Sequence, residues 1–270
     1  MKKLLILFIA ALSTSMMFFS GTSAMAQTHV QQLSLKAPDG DNITGFIYQK
    51  AGTKKDAPLA ILMHGMMGSS LYWLAGDNVS HGDLLSRNLV DQGYRVVALD
   101  ARAHGVRKNA IRPLERLKGA KTGKPEHYLE MIEGTVGDYD ILLSKMTKSF
   151  GKPQHVLVMG YSMGAQMAVL FAAQNDAVTH IVTMVPPAVK DVQKVAPVNH
   201  AANVKAKWLL ITASQDQYAS KADNDALVKA GGERLTRVEF DSKHMLPKSY
   251  SDAVITWVSA IETKAAITGE

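Results

Sequence analysis

The clearest pattern in the chain is a series of short, almost continuous apolar runs separated by longer amphipathic stretches. The runs are rich in β-branched residues and have the length of strands buried on both faces; they cover 58–63, 94–99, 155–160, 179–185, 207–212 and 235–240. The amphipathic stretches predict helices over 80–92, 135–150, 162–174, 221–229 and 250–263. This alternation predicts an α/β fold, with a mostly parallel sheet and helices on both of its faces.

Three further segments depart from this rhythm. Residues 30–37 and 42–49 are short strand-like stretches joined by a Pro-Asp-Gly-Asp turn, which predicts an N-terminal antiparallel hairpin. Residues 101–133 are basic, rich in Gly and Pro and weakly periodic, and we interpret them as an excursion with one short helix. Residues 186–205 are irregular and predict a small lid.

The first 26 residues have the organisation of a signal peptide. Lys2 and Lys3 precede an apolar run over 4–12, and Ala-Met-Ala at 24–26 fits the small-x-small cleavage rule. A membrane anchor is the alternative, but the run is too short to span a bilayer and polar residues follow it. We therefore predict cleavage before Gln27, a single domain over 27–270, and export to the periplasm or the medium as a soluble protein.

Composition narrows the function classes. The chain has 270 residues and no cysteine, which excludes disulfides, thiolate metal sites and a cysteine nucleophile. Without the two signal-peptide lysines its net charge is +4, and the basic residues do not cluster with aromatic ones, so we expect no nucleic-acid partner. No phosphate-binding loop, dinucleotide fingerprint or metal-binding motif occurs, so we expect no cofactor and no metal. The oligomeric state is not predicted.

The run at 155–160 ends in Gly160-Tyr161-Ser162-Met163-Gly164, and a helical stretch follows at once. A serine at the apex of a strand–turn–helix is the context in which G-x-S-x-G carries a nucleophile. The glycines fit because the turn brings the strand and helix backbones too close for a side chain. The serine could instead be only a small residue that the turn requires.

A nucleophilic serine needs a base and a group that orients the base. His244 follows the strand at 235–240, and Asp216 follows the strand at 207–212. The order Ser162, Asp216, His244 is the one expected for this architecture. Asp100 and Asp241 are alternative acids, although Asp241 more naturally caps its own loop and Asp100 more naturally fixes a loop.

With these motifs and with His64-Gly65-Met66-Met67-Gly68, the chain resembles the α/β-hydrolases of the serine-hydrolase branch over nearly its whole mature length. The resemblance implies an oxyanion hole made by the backbone N–H groups of Met66 and Met163. One departure is at 100–105, where Asp-Ala-Arg-Ala-His-Gly replaces the Asp-x-Arg-Gly-x-Gly of many relatives.

We expect an apolar pocket for a small acyl substrate, formed by the methionines near Ser162 together with Met67, Tyr72 and Trp73. The function predicted is an exported carboxylic-ester hydrolase that works through an acyl-enzyme. The alternatives are a peptidase, a thioesterase, a lipase or a non-catalytic binding module on the same fold. His64 is expected to brace its loop, and His104 and His200 to lie in solvent or in the lid.

Overall fold

The structure, a computed structural model, describes residues 27–75 and 81–268. The predicted signal peptide lies outside the described residues. Within them, no helix is both long and apolar enough to cross a membrane.

The described residues form one eight-stranded sheet. Its strands are β1 Thr28–Lys36, β2 Asn42–Lys50, β3 Leu59–Met63, β4 Arg95–Leu99, β5 Val156–Tyr161, β6 His180–Met184, β7 Lys207–Ala213 and β8 Leu235–Phe240. The strand order is β1-β2-β4-β3-β5-β6-β7-β8. β1 and β2 form an antiparallel hairpin, β2 pairs antiparallel with β4, and all remaining pairs are parallel. The predicted fold class and hairpin are therefore confirmed.

Seven α-helices accompany the sheet in this part of the chain. They are α1 Gly82–Asp91, α2 Pro113–Lys121, α3 Glu126–Phe150, α4 Met163–Gln174, α5 Pro197–His200, α6 Lys221–Gly231 and α7 Ser249–Thr268. α1 and α7 pack on one face of the sheet, and α3, α4 and α6 pack on the other. Alternate residues of each central strand enter the two cores: Ile61 points to one face and Leu62 to the other.

The topology also determines where a ligand can bind. After β3 the chain forms β4 on one side, and β5 then pairs on the other side of β3. In open parallel sheets, ligands bind outside the carboxyl ends of the strands at such a switch point. The loops after β3 and β5 meet there, and they carry Met66 and Ser162.

The excursion at 101–133 is more regular than its sequence predicted. It contains α2 and the first turns of α3, which begins at Glu126 and not near residue 135. Gly134 disguised the start of this helix, because glycine lowers helix propensity. It lies against Arg102: a Cβ there would be 2.6 Å from the guanidinium, which ion pairs with Asp39 and Asp138 hold in place. The region 186–205, which the sequence predicts as a small lid, holds the four-residue helix α5 between single 3-10 turns.

Candidate active site

The turn between β5 and α4 holds Ser162 in a conformation that is unusual for a serine. Its backbone has φ 54° and ψ −116°, and non-glycine residues rarely adopt a positive φ. The two flanking glycines are required by close approach. A Cβ on Gly160 would lie 2.2 Å from the Gly164 carbonyl oxygen, and one on Gly164 would lie 1.9 Å from the Met63 carbonyl oxygen. Strain of this kind is typical of functional sites, where the surrounding structure sustains it.

Ser162, His244 and Asp216 form a continuous chain of hydrogen bonds. Ser162 Oγ lies 2.8 Å from His244 Nε2, and His244 Nδ1 lies 2.9 Å from Asp216 Oδ2 and 3.0 Å from Oδ1. Because a carboxylate only accepts hydrogen bonds, Nδ1 carries the proton and Nε2 accepts the one donated by the serine hydroxyl. The Asp216 side chain is 2% exposed and that of His244 13%, so the pair is largely protected from water. The structure thus brings together the three residues that the sequence predicted.

The two alternative acids lie in other environments. Asp241 is at the surface, where its carboxylate accepts hydrogen bonds from the Ser214 hydroxyl and the Gln215 amide. Asp100 is buried and accepts from the Ser70 N–H at 2.7 Å, the Ser70 hydroxyl and the Val106 N–H. Each carboxylate therefore fixes a loop.

The loop after β3 lies against the serine turn. Gly65–Gly68 of this loop form a tight turn, in which the Gly68 N–H donates to the Gly65 carbonyl at 3.0 Å and Met67 has φ 66°. A Cβ on Gly65 would lie 3.4 Å from Ser162 Cβ. Met163 is the first residue of α4, so its N–H has no acceptor within the helix. Met66 and Met163 both line the cavity that contains Ser162.

His64 braces this loop from inside the protein. The Ala101 N–H donates to its Nε2 at 3.0 Å, so Nδ1 carries the proton and donates to the Gly65 carbonyl at 2.8 Å. The ring is fully buried, and burial lowers the pKa of His64 to about 4. His64 is therefore neutral at ordinary pH. Its Nδ1 fixes the β3 loop, and its Nε2 connects that loop to the β4 loop.

The predictions for two other histidines, His104 and His200, have different outcomes. His104 was expected in solvent or in the lid but is buried, with its ring centroid 5.2 Å from that of His64. Burial lowers its pKa as well. His200 lies in the lid helix α5, where its Nε2 is 2.8 Å from the Lys194 carbonyl oxygen.

The cavity around Ser162 has a volume of about 620 Å³. Met67 and Tyr72 line it, as the sequence predicted, whereas Trp73 is fully buried in the core between the sheet and α1. The prediction of Trp73 as a pocket residue is wrong because the 3-10 turn at 70–73 places consecutive aromatic rings in different environments. Tyr72 meets Trp73 edge-on at 4.8 Å and faces the cavity.

Sequence reasoning missed two tyrosines beside the histidine. Tyr161 precedes the serine, and its buried hydroxyl donates to the His244 carbonyl at 2.9 Å and accepts from the Leu246 N–H at 3.1 Å. Tyr218 meets the His244 ring edge-on, with centroids 4.5 Å apart, and its N–H donates to Asp216 Oδ1 at 2.8 Å. Tyr161 lies inside the serine motif and Tyr218 two residues after the acid, but neither position indicates which loop the side chain contacts.

Comparison with solved structures finds the same fold in known proteins. A cold-adapted esterase from an Arctic intertidal metagenomic library aligns with a TM-score of 0.66 at 19% identity, covering 86% of this chain and 93% of that one. An esterase from Pyrococcus furiosus aligns with a TM-score of 0.64 at 15% identity, with coverages of 88% and 92%. A Thermus thermophilus protein aligns with a TM-score of 0.66 at 16% identity, with coverages of 86% and 98%.

At these identities the structural likeness shows the fold alone, and a search of curated proteins found no match. A sequence profile adds the family assignment. The profile described as the alpha/beta hydrolase fold matches residues 58–199, just over half of the chain, from β3 to the lid. The protein therefore belongs to the α/β-hydrolase family.

Proposed function

We propose that this protein is a serine hydrolase that cleaves carboxylic esters through an acyl-enzyme intermediate. The observation that carries the proposal is the hydrogen-bonded chain from Ser162 through His244 to Asp216, with heavy-atom distances of 2.8 and 2.9 Å. These distances lie within the reach needed for proton transfer between a nucleophile and its base. Ser162 also lines an open cavity, so a substrate carbonyl can approach its hydroxyl.

The chemistry follows from the hydrogen-bond directions. Ser162 Oγ attacks the ester carbonyl carbon while its proton moves to His244 Nε2, and the buried Asp216 carboxylate stabilises the imidazolium. The N–H groups of Met66 and Met163 stabilise the negative charge on the carbonyl oxygen, assisted by the N-terminus of α4. His244 then protonates the leaving alcohol, and the acyl group stays on Ser162. A water molecule gives its proton to His244 and attacks the acyl carbonyl, the bond between the acyl group and Ser162 Oγ breaks, and His244 returns the proton to Ser162 Oγ as the acid is released.

The nucleophile is tested by labelling with a small fluorophosphonate and by hydrolysis of p-nitrophenyl butyrate. We expect Ser162→Ala to abolish labelling and to lower kcat by several orders of magnitude. Ser214→Ala is a matched control, because Ser214 is hydrogen-bonded to Asp241 and lies outside the proposed machinery. A folded Ser162→Ala protein that still labels at the wild-type rate would show that another residue is the nucleophile.

We also propose that the protein is exported and loses residues 1–26. The support is the sequence alone: two lysines, an apolar run, and small residues at 24 and 26. Mass spectrometry of protein recovered from its native host should give an N-terminus at or near Gln27. Recovery of a chain that begins at Met1 from the membrane fraction would contradict export by cleavage.

A further inference from the structure

One wall of the active-site cavity is made by α2, a short helix of the excursion whose bounds the sequence did not predict. Leu114, Leu117, Ala120 and Lys121 of this helix all line the cavity. Their spacing of three, three and one places them on one side of the helix. Arg116 of the same helix donates to the His127 carbonyl and to the Glu130 carboxylate of α3, so the position of α2 is set by tertiary contacts. An apolar helical face is thus directed into the space that contains Ser162.

Exposed apolar side chains are concentrated at the mouth of this cavity. Among the described residues, eight large hydrophobic side chains are strongly exposed, and four of them line the cavity. These four are Met67, Leu114, Tyr218 and Met245, and they are 45–60% exposed. Single exposed apolar residues are ordinary, but several around one concave opening indicate a surface that an apolar ligand covers.

The inner part of the cavity is apolar too. Ala120 and Tyr128 line it and are almost fully buried, whereas Leu114 is 53% exposed, so the α2 wall runs from the surface into the protein. The Tyr128 hydroxyl donates to Gln166 Oε1 at 2.8 Å, and the Gln166 amide donates to the Val195 carbonyl at 2.9 Å. The polar atom of Tyr128 is therefore satisfied by the protein and is not needed by a ligand.

The dimensions of the α2 wall indicate what length of chain it can cover. Leu114 and Lys121 are seven residues apart, which corresponds to about 10 Å along a helix. An extended alkyl chain advances by about 1.3 Å per carbon, so this wall matches roughly eight carbons. Ala120 leaves room at the inner end that a larger residue would fill, and Lys121 ends the apolar stripe.

We propose that the α2 face formed by Leu114, Leu117 and Ala120 binds the alkyl chain of a medium-chain ester and determines the preferred chain length. This inference rests on the proposed function of Ser162. The apolar chain could belong to the acid or to the alcohol of the ester, and both sources present the same chemistry to α2.

The test is a chain-length profile of kcat/KM for p-nitrophenyl esters from acetate to dodecanoate, with a second series of n-alkyl acetates. One of the two series places the varied alkyl chain against α2. In that series, wild-type kcat/KM should rise by up to about fourfold for each added methylene and stop rising when the chain reaches about eight carbons. A rise in the first series assigns the chain to the acid, and a rise only in the second assigns it to the alcohol. Flat profiles in both series would overturn the inference.

Two variants test the wall itself. Ala120→Leu should shorten the preferred chain by about two carbons. It should also lower at least tenfold the chain-length ratio, which is kcat/KM for the eight-carbon ester divided by kcat/KM for the two-carbon ester. Because Ala120 is buried and this variant could fail to fold, Leu114→Asn at the exposed mouth is the second variant, and it should lower the same ratio severalfold. Val106→Asn is the matched control: Val106 is 77% exposed and lies outside the cavity lining, so its profile should equal that of the wild type.

The outcomes separate this inference from the proposed function. If the wild type neither labels with fluorophosphonate nor hydrolyses any ester, the proposed function fails and with it the assignment of α2. If the wild type hydrolyses esters but Leu114→Asn and a folded Ala120→Leu leave the chain-length ratio unchanged, only the role of α2 is wrong.

Discussion

The hydroxyl of Tyr161 provides the sharpest test of how the histidine is held in place. It connects the serine turn to the backbone of the His244 loop through two hydrogen bonds, one to the His244 carbonyl and one from the Leu246 N–H. Burial raises the pKa of Tyr161 to about 12, so the hydroxyl keeps its proton and can donate throughout the assay range. Tyr161→Phe removes both bonds and keeps the ring.

The magnitude follows from burial. Leu246 is 3% exposed, so its N–H loses its partner without gaining water, which costs about 1–3 kcal/mol. This cost is smaller than the stability of a typical domain, about 5–15 kcal/mol, and the variant should fold. If this free energy is what holds the His244 loop in the position needed for catalysis, its loss should lower kcat by about 10- to 100-fold.

The assay is kcat on p-nitrophenyl butyrate together with the free energy of unfolding in urea. Tyr139→Phe is a matched control, because the Tyr139 hydroxyl is buried and has no hydrogen-bond partner among the described residues. The control should keep wild-type kcat and stability. A Tyr161→Phe protein that loses stability but keeps kcat within twofold would refute the reasoning, since the hydroxyl would then support the fold without positioning His244.

Three further predictions concern the acid, a strained turn and a buried base. Asp216→Asn should lower kcat by about ten-thousandfold, whereas Asp241→Asn should change it less than twofold; a reversed order of kcat values would move the acid to Asp241. Ala103 has φ 63°, a conformation that glycine adopts without steric cost, so Ala103→Gly should raise the free energy of unfolding in urea by about 1 kcal/mol, and no gain would argue against strain there. Because burial lowers the pKa of His64 to about 4 and the unfolded chain titrates near 6.5, the free energy of unfolding should fall by about 3 kcal/mol as pH drops from about 6.5 to about 4. His64→Gln should reduce this pH dependence of the free energy of unfolding, whereas His29→Gln, at an exposed position, should leave it unchanged. An equal pH dependence in both variants would show that other groups cause it.

The parallel sheet and the order of the site residues could be predicted from sequence because both depend on local patterns. Strands buried on both faces are apolar at most positions, so β3 through β7 stand out as almost continuous apolar runs. The serine turn is partly local: Gly160 lies against the Gly164 carbonyl, which the turn itself brings close, whereas Gly164 lies against the Met63 carbonyl of the neighbouring strand β3. Once the strands were placed, the loops after β7 and β8 had to meet at the carboxyl edge, which brought Asp216 and His244 towards Ser162.

Other features were decided only by tertiary structure. The start of α3 was hidden because Gly134 is selected by the close approach of Arg102, a contact 32 residues away in the chain, against its own helix propensity. The same excursion places α2 against the cavity, and no local pattern indicates which surface a short helix will face.

The burial of His104, the exclusion of Trp73 from the cavity and the hydrogen bonds of Tyr161 have the same origin. Each depends on neighbours that arrive from distant parts of the chain, such as Leu246, which lies 85 residues after Tyr161. Sequence periodicity reports how much of a segment is buried but not which partner buries it, because side-chain packing is specified only when the elements meet. Short motifs therefore predicted the candidate residues of the site, whereas the hydrogen bonds that position them and the shape of the cavity depend on long-range contacts.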